Sequence, residues 1–265
     1  MLANAQQNFY VPSVGSYVYG PVVDGTFVPD LPGVLLANGN FDKNVHIVAG
    51  QNRREGYLFT NPAVRTDADI IDTLMGAVGA PIRSAEYVVN TLYPANFSGA
   101  YGYTNWYERI ATITSEFAFI CNDYYMTSAT SQQSYGYLFN YFPGFHGQDI
   151  PYTFFDGFVN ATNPQAVQSA NAAFTLQDWI TSFTLGQTPS TRVAGSPNLP
   201  LYDGTQMIGA INGALGQFQP AVVKDPAANP RCAWWQQGLF APDSAADIAQ
   251  AIKDCKDCDE KKHGN

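Results

Sequence analysis

Charge is scarce in this 265-residue chain. Asp, Glu, Lys and Arg together make up 13%, about half the share in an average soluble domain. Cations are the scarcer kind, 13 Lys+Arg against 22 Asp+Glu, for a formal net charge of -9. Such a chain repels phosphate backbones and anionic headgroups, which argues against nucleic acid and charged membrane as partners. No window approaches the roughly 18 unbroken apolar residues of a spanning helix, so no transmembrane segment is expected. Histidine is limited to His46, His146 and His263, with no His-x-x-x-His or similar spacing, so neither a metal nor another cofactor is expected. Met1–Tyr10 (MLANAQQNFY) has neither the basic start nor the apolar core of a signal peptide. There is no internal repeat.

Apolar residues reach 46% and aromatics 14%, enough for a globular core and too much for wholesale disorder. Two acceptor sequons, Asn96-Phe-Ser98 and Asn160-Ala-Thr162, carry no blocking proline. The four cysteines, Cys121, Cys232, Cys255 and Cys258, are an even number compatible with disulfides. These are features of a secreted glycoprotein. Their occurrence without a leader suggests that the protein's true beginning lies upstream of Met1.

Strands and helices are expected to alternate, an α/β pattern. Val45–Gly50 reads as a short buried strand. Thr66 and Asp69 form a capping-box-like start to a helix with Ile70, Ile71, Leu74, Met75 and Val78 on one face, stopped at Gly79. A second helix runs from about Ile82 to Leu92. In the strongest periodic stretch, Trp106 to Ser128, Ile110, Ile113, Phe117, Cys121 and Tyr124 share a face, so Cys121 is expected in the core. Tyr135–Phe142 (YGYLFNYF) reads as a strand. Asn163-Pro164 suggests the start of a helix reaching Leu185, with Ala173, Leu176, Ile180 and Phe183 inside. Residues 187–230 read as surface loop with short strands. Ala245–Cys255 reads as a last short helix within a charged tail, 242–265.

Two loops follow predicted strands, where α/β sheets collect functional groups. One, Gly50-Gln-Asn-Arg-Arg-Glu55-Gly56, sets an acid beside a glycine. The other, Pro143-Gly-Phe-His146-Gly147-Gln-Asp149, holds a histidine near glycines that leave it uncovered. Acid before histidine is the order of the α/β-hydrolase triad, and imidazole suits general-base work near neutral pH. His46, within a strand run, reads as a packed or surface residue.

Tyr19-Gly-Pro-Val-Val-Asp-Gly-Thr-Phe-Val-Pro-Asp-Leu-Pro32 resembles the Pro-Val-Val-Asp-Gly segment of type-B carboxylesterases, the family that includes lipases and cholinesterases. Val48–Phe59 resembles that family's strand and acid loop, with Arg54 where an acidic residue often stands. The resemblance makes Glu55 the triad acid. Gly144–Tyr152 resembles the segment bearing the catalytic histidine, which assigns that role to His146. Phe119-Ile-Cys121 and Arg231-Cys232-Ala-Trp-Trp235 resemble two half-cystines that pair in the family, implying a Cys121–Cys232 disulfide. Cys255-Lys-Asp-Cys258 has no thioredoxin-type context and reads as an incidental pair.

The resemblance covers about Gly20 to Trp235 and only the family's C-terminal half. It implies that 1–241 are the C-terminal part of an α/β-hydrolase fold with an incomplete central sheet. Neither Gly-x-Ser-x-Gly nor His-Gly-Gly-Gly occurs anywhere. The expectation is a carboxylic-ester hydrolase fragment acting on small-molecule or lipid esters. It would supply acid and histidine, require an N-terminal half for nucleophile and oxyanion hole, and be inactive alone. The alternatives are a non-catalytic esterase-like adhesion module and, on composition only, a carbohydrate-binding protein.

Overall fold

The computed structural model of the chain describes residues 22–241 except Gln187. They form two compact units, 22–34 with 57–114 and 237–241, and 35–56 with 115–236. The expected tail helix, Cys255, Cys258 and His263 lie outside the described residues.

The first unit is helical. Helix α1 (Asp67–Val78) starts where the sequence signals it: the Thr66 hydroxyl accepts from Asp69 N–H while the Asp69 carboxylate accepts from Thr66 N–H, and Gly79 ends it in the left-handed conformation. Helix α2 (Ile82–Tyr87) continues as a π turn, Val88–Leu92. Helix α3 (Trp106–Ser115) buries Ile110 and Ile113 as the periodicity requires. It also buries Arg109 completely. That guanidinium donates to Tyr93 O (2.7 Å), Val89 O (2.8 Å) and Asp67 Oδ1 (2.5 Å), so its charge is paired and each of its three nitrogens has an acceptor.

The second unit is built on a four-stranded sheet in the order β1 (Ile47–Asn52), β2 (Ser134–Tyr141), β3 (Met207–Ala214) and β4 (Gln217–Lys224). The first three run parallel, with Ile47 opposite Ser134 and Tyr137 opposite Gly209; β4 returns antiparallel. Along β2 the two faces alternate. Phe139 and Tyr141 pack with Tyr152, Leu176, Trp179 and Ile211, while Leu138 packs on the other side with Tyr202, Ile208 and Ala210. Helix α4 (Cys121–Ala129), the short α5 (Ile150–Thr153), α6 (Ala170–Thr184) and α7 (Pro230–Gln236) complete the unit.

Three readings of the sequence are corrected. The stretch 187–230 contains two full eight-residue strands. Strand β3 (MIGAINGA) shows no alternation because both its faces are covered, and the hairpin turns on Leu215 and Gly216, both at positive φ, without the usual Asn-Gly signal. Helix α6 starts six residues later than Pro164. The Asn163 side chain accepts from Gln165 N–H in a local turn, and Ser169 is the N-cap, accepting from Ala172 N–H. Its inner stripe also includes Trp179, fully buried. Strand β1 is displaced two residues forward, leaving His46 exposed just before it.

Candidate active site

Glu55 and His146 are both held by the carboxyl end of the sheet. Strand β1 ends at Asn52 and the backbone continues alongside the next loop: Arg54 N–H donates to Gly144 O (2.7 Å), and Arg54 pairs with Phe145 in a parallel bridge. The Arg54 guanidinium donates to Pro143 O (2.7 Å), a use unlike that of an acidic residue at this place. Glu55 then opens a 3-10 turn, Glu55–Phe59, and Gly56 N–H donates to Ser115 Oγ (2.8 Å).

On the partner loop, after the cis Phe142–Pro143 bond, Gly144 and Phe145 N–H donate to Gln148 Oε1. Gln148 Nε2 in turn donates to Phe142 O and Pro164 O, so this one side chain braces the backbone that presents His146.

The geometry brings the two side chains together. His146 Nδ1 lies 2.5 Å from Glu55 Oε2; the carboxylate is 7% exposed and the imidazole 43%. Glu55 Oε1 accepts from Asn52 N–H (2.6 Å) and Asn52 Nδ2 (3.2 Å), which fixes Oε2 toward the ring. The Phe119 ring lies 4.8 Å from the imidazole, centroid to centroid. A buried acid bonded to one nitrogen of a half-exposed imidazole selects a tautomer and stabilises the imidazolium.

Other acids surround the pair. Asp149 accepts from Asn52 Nδ2 (3.0 Å) and from the Tyr137 hydroxyl (3.0 Å). Burial pushes that phenol well above its ordinary range, reinforced by the neighbouring Asp149 charge. Asp225 accepts from Tyr202 OH, Gln51 Nε2 and Ala227 N–H. Asp123, on α4, is pushed up to about 8 by burial first and then by the charges of Glu55, Asp225 and Asp149. At neutral pH it is largely a neutral acid.

Cys121 and Cys232 are buried and disulfide-bonded, with Cα atoms 5.1 Å apart. Beside them Arg231 Nε donates to the buried Glu116 carboxylate (2.8 Å), and the Phe117 and Trp235 rings pack at 5.6 Å. Glu116, Cys121 and Cys232 converge closely enough for a metal. With both sulfurs in a disulfide and the carboxylate paired to Arg231, that trio has no ligand set to offer. Asn96 is exposed and Asn160 half-buried, each in a local turn closed by its own side-chain oxygen. Sequence reasoning missed Asn52, which bonds Glu55, and the side chains that hold the surrounding loops, Tyr137, Gln148 and Ser115. Only the place of Asn52 at a strand end, three residues before an acid, could have flagged one of them.

The carboxylesterase family model matches residues 1–212. The chain belongs to the carboxylesterase family. It is 29% identical over 229 residues to carboxylesterase patB of Penicillium expansum and 27% identical over 231 residues to that of Aspergillus clavatus, each match covering 85% of this chain and 39% of the relative. It is also 33% identical over 86 residues to the inactive carboxylesterase-like protein VdtD of Byssochlamys spectabilis, 31% of this chain and 14% of that one. The chain thus spans about two-fifths of the length of the patB relatives it matches. Two structures of PNB esterase superpose with TM-scores of 0.57 and 0.55 at 21% and 23% identity. They cover 83% and 84% of this chain and 44% and 43% of theirs, which establishes a partial α/β-hydrolase fold. Among the described residues no helix is long and apolar enough to cross a membrane.

Proposed function

We propose that this family member supplies the acid, Glu55, and the general base, His146, of a serine-type carboxylic-ester hydrolase. The nucleophile and oxyanion donors would come from an N-terminal half of the same domain. The observation that carries the reading is the 2.5 Å contact between a buried carboxylate and Nδ1 of a half-exposed imidazole at the tips of neighbouring parallel strands. With Nδ1 bonded to Glu55, Nε2 takes the proton of an attacking serine and returns it to the departing alkoxide, while Glu55 stabilises the imidazolium. Backbone N–H groups outside these residues hold the oxyanion, each worth about 3 kcal/mol.

The sheet edges support a second half docking beside β1. Asp225 N–H bonds Gln206 O, so odd residues of β4 face β3 and even ones face outward. Pro220 therefore puts its missing N–H on the outer edge and blunts it. No described strand pairs with the outer edge of β1, where no proline intervenes. A further parallel strand there would stand next to Glu55.

Residues 1–241 are read as the C-terminal part of the esterase domain and 242–265 as a charged tail. The substrate class is a small-molecule or lipid ester. The disulfide and two sequons support an extracellular glycoprotein, and glycosidase treatment of secreted protein should lower its apparent mass through Asn96, Asn160 or both. The chain alone should show negligible esterase activity, since losing the serine alone costs about 10⁶ in turnover in a serine hydrolase. A fluorophosphonate probe should label the full-length protein and not this chain; stoichiometric labelling of the chain would overturn the division of labour. The likeness to an inactive relative supports a second reading, a non-catalytic esterase-like module. A full-length protein that takes no probe would favour it.

A further inference from the structure

The Asn52 side chain occupies an unusual position. It is 4% exposed, and its single NH2 group donates to Glu55 Oε1 at 3.2 Å and to Asp149 Oδ1 at 3.0 Å. Among the described residues its own Oδ1 is buried without a hydrogen-bond partner. Leaving a buried amide oxygen unpaired is unfavourable, so this orientation is held because the NH2 group answers two carboxylates at once. Turned over, the amide would set its oxygen against both.

Asp149 is also fixed from the other side. Its Oδ2 accepts from Tyr137 OH, and Tyr137 crosses β1 at Gly50, where any Cβ would lie 2.0 Å from the ring. Asp149 is three residues beyond His146 on the same loop. The amide therefore joins the strand that carries the acid to the loop that carries the histidine.

We propose that Asn52 is a positioning residue for the Glu55–His146 pair, acting through Asp149 to hold the histidine loop against the acid. This rests on the reading of Glu55 and His146 as acid and base, but its test does not require turnover. The full-length protein is labelled with 15N at histidine, and the downfield Nδ1 proton of His146 reads its contact with Glu55, with the exposed His46 as internal control. The neutral, similarly sized Asn52→Leu should weaken that signal several-fold through faster exchange with solvent and leave His46 unmoved. Asp149→Asn, at a half-buried site, should weaken it likewise, and Asn52→Leu should add little in that background because both act on one link. A merely structural Asn52 would lower thermal stability and leave the Nδ1 signal in place. An unchanged Nδ1 signal in folded Asn52→Leu, or in Asp149→Asn should the leucine variant not fold, would overturn the proposal. Failure of Glu55→Gln to remove the signal would instead sink the acid–base reading itself.

Discussion

Replacing Glu55 by glutamine removes a charge and almost no volume, and the surroundings decide which way the new amide points. Asn52 N–H and Asn52 Nδ2 both donate to the Oε1 position, at 2.6 and 3.2 Å. An NH2 group placed there would confront two donors. The carbonyl therefore takes that place, and the NH2 group turns to His146 Nδ1, where the acid oxygen lay 2.5 Å away. Nδ1 must then accept, the imidazole proton moves to Nε2, and Nε2 has no lone pair for a serine proton. The productive tautomer survives only in the turned-over amide, which forfeits two buried hydrogen bonds at about 1–3 kcal/mol each. A total of about 2–6 kcal/mol corresponds to a loss of roughly 30-fold to 3 × 10⁴-fold in kcat, and a tautomer error alone costs about 10⁴ in a serine protease. The assay is hydrolysis of a p-nitrophenyl ester by full-length protein, paired with 15N spectra that report which ring nitrogen of His146 carries the proton. A loss below tenfold, or a proton still on Nδ1 in the variant, would refute the reasoning.

The Cys121–Cys232 bond spans a sequence separation of 111. In the chain-entropy account, closing a loop of that length stabilises by about 4.8 kcal/mol. Cys121→Ala with Cys232→Ala should therefore lower the urea midpoint sharply, while an unchanged midpoint would show that the unfolded chain is constrained by other means. Asp123 provides a pH test. Its folded pKa, about 8 against an ordinary 3.8, means that its neutral form favours the fold below about pH 4 and that this stabilisation is lost as pH rises through 8. Asp123→Asn should flatten that fall and exceed the native protein in urea midpoint at pH 9; parallel curves for the two proteins would contradict the assignment.

Local signals in the sequence were sufficient wherever a few adjacent residues decide the outcome. Thr66 and Asp69 close their capping box by themselves, and the spacing of Ile110 and Ile113 selects the buried face of α3, because both depend on helical geometry and not on a partner. Cys121 is buried as expected, but the π turn Glu116–Ile120 rotates the face beyond it, leaving Phe117 and Tyr124 half-buried and Tyr125 inside. The acid and histidine loops were legible by family likeness, since both are short glycine-flanked segments. Strand β3 was not legible: a strand covered on both faces has no alternation to read. Nor was the role of Asn52, whose neighbours Glu55 and Asp149 lie 3 and 97 residues away. Composition, the elements with local start, stop or periodicity signals, and the identity of two candidate side chains were thus legible in the sequence alone. Their meeting at 2.5 Å, and the amide that bridges two carboxylates beside them, came only from the parallel register of β1 and β2, which brings together groups that no local rule relates.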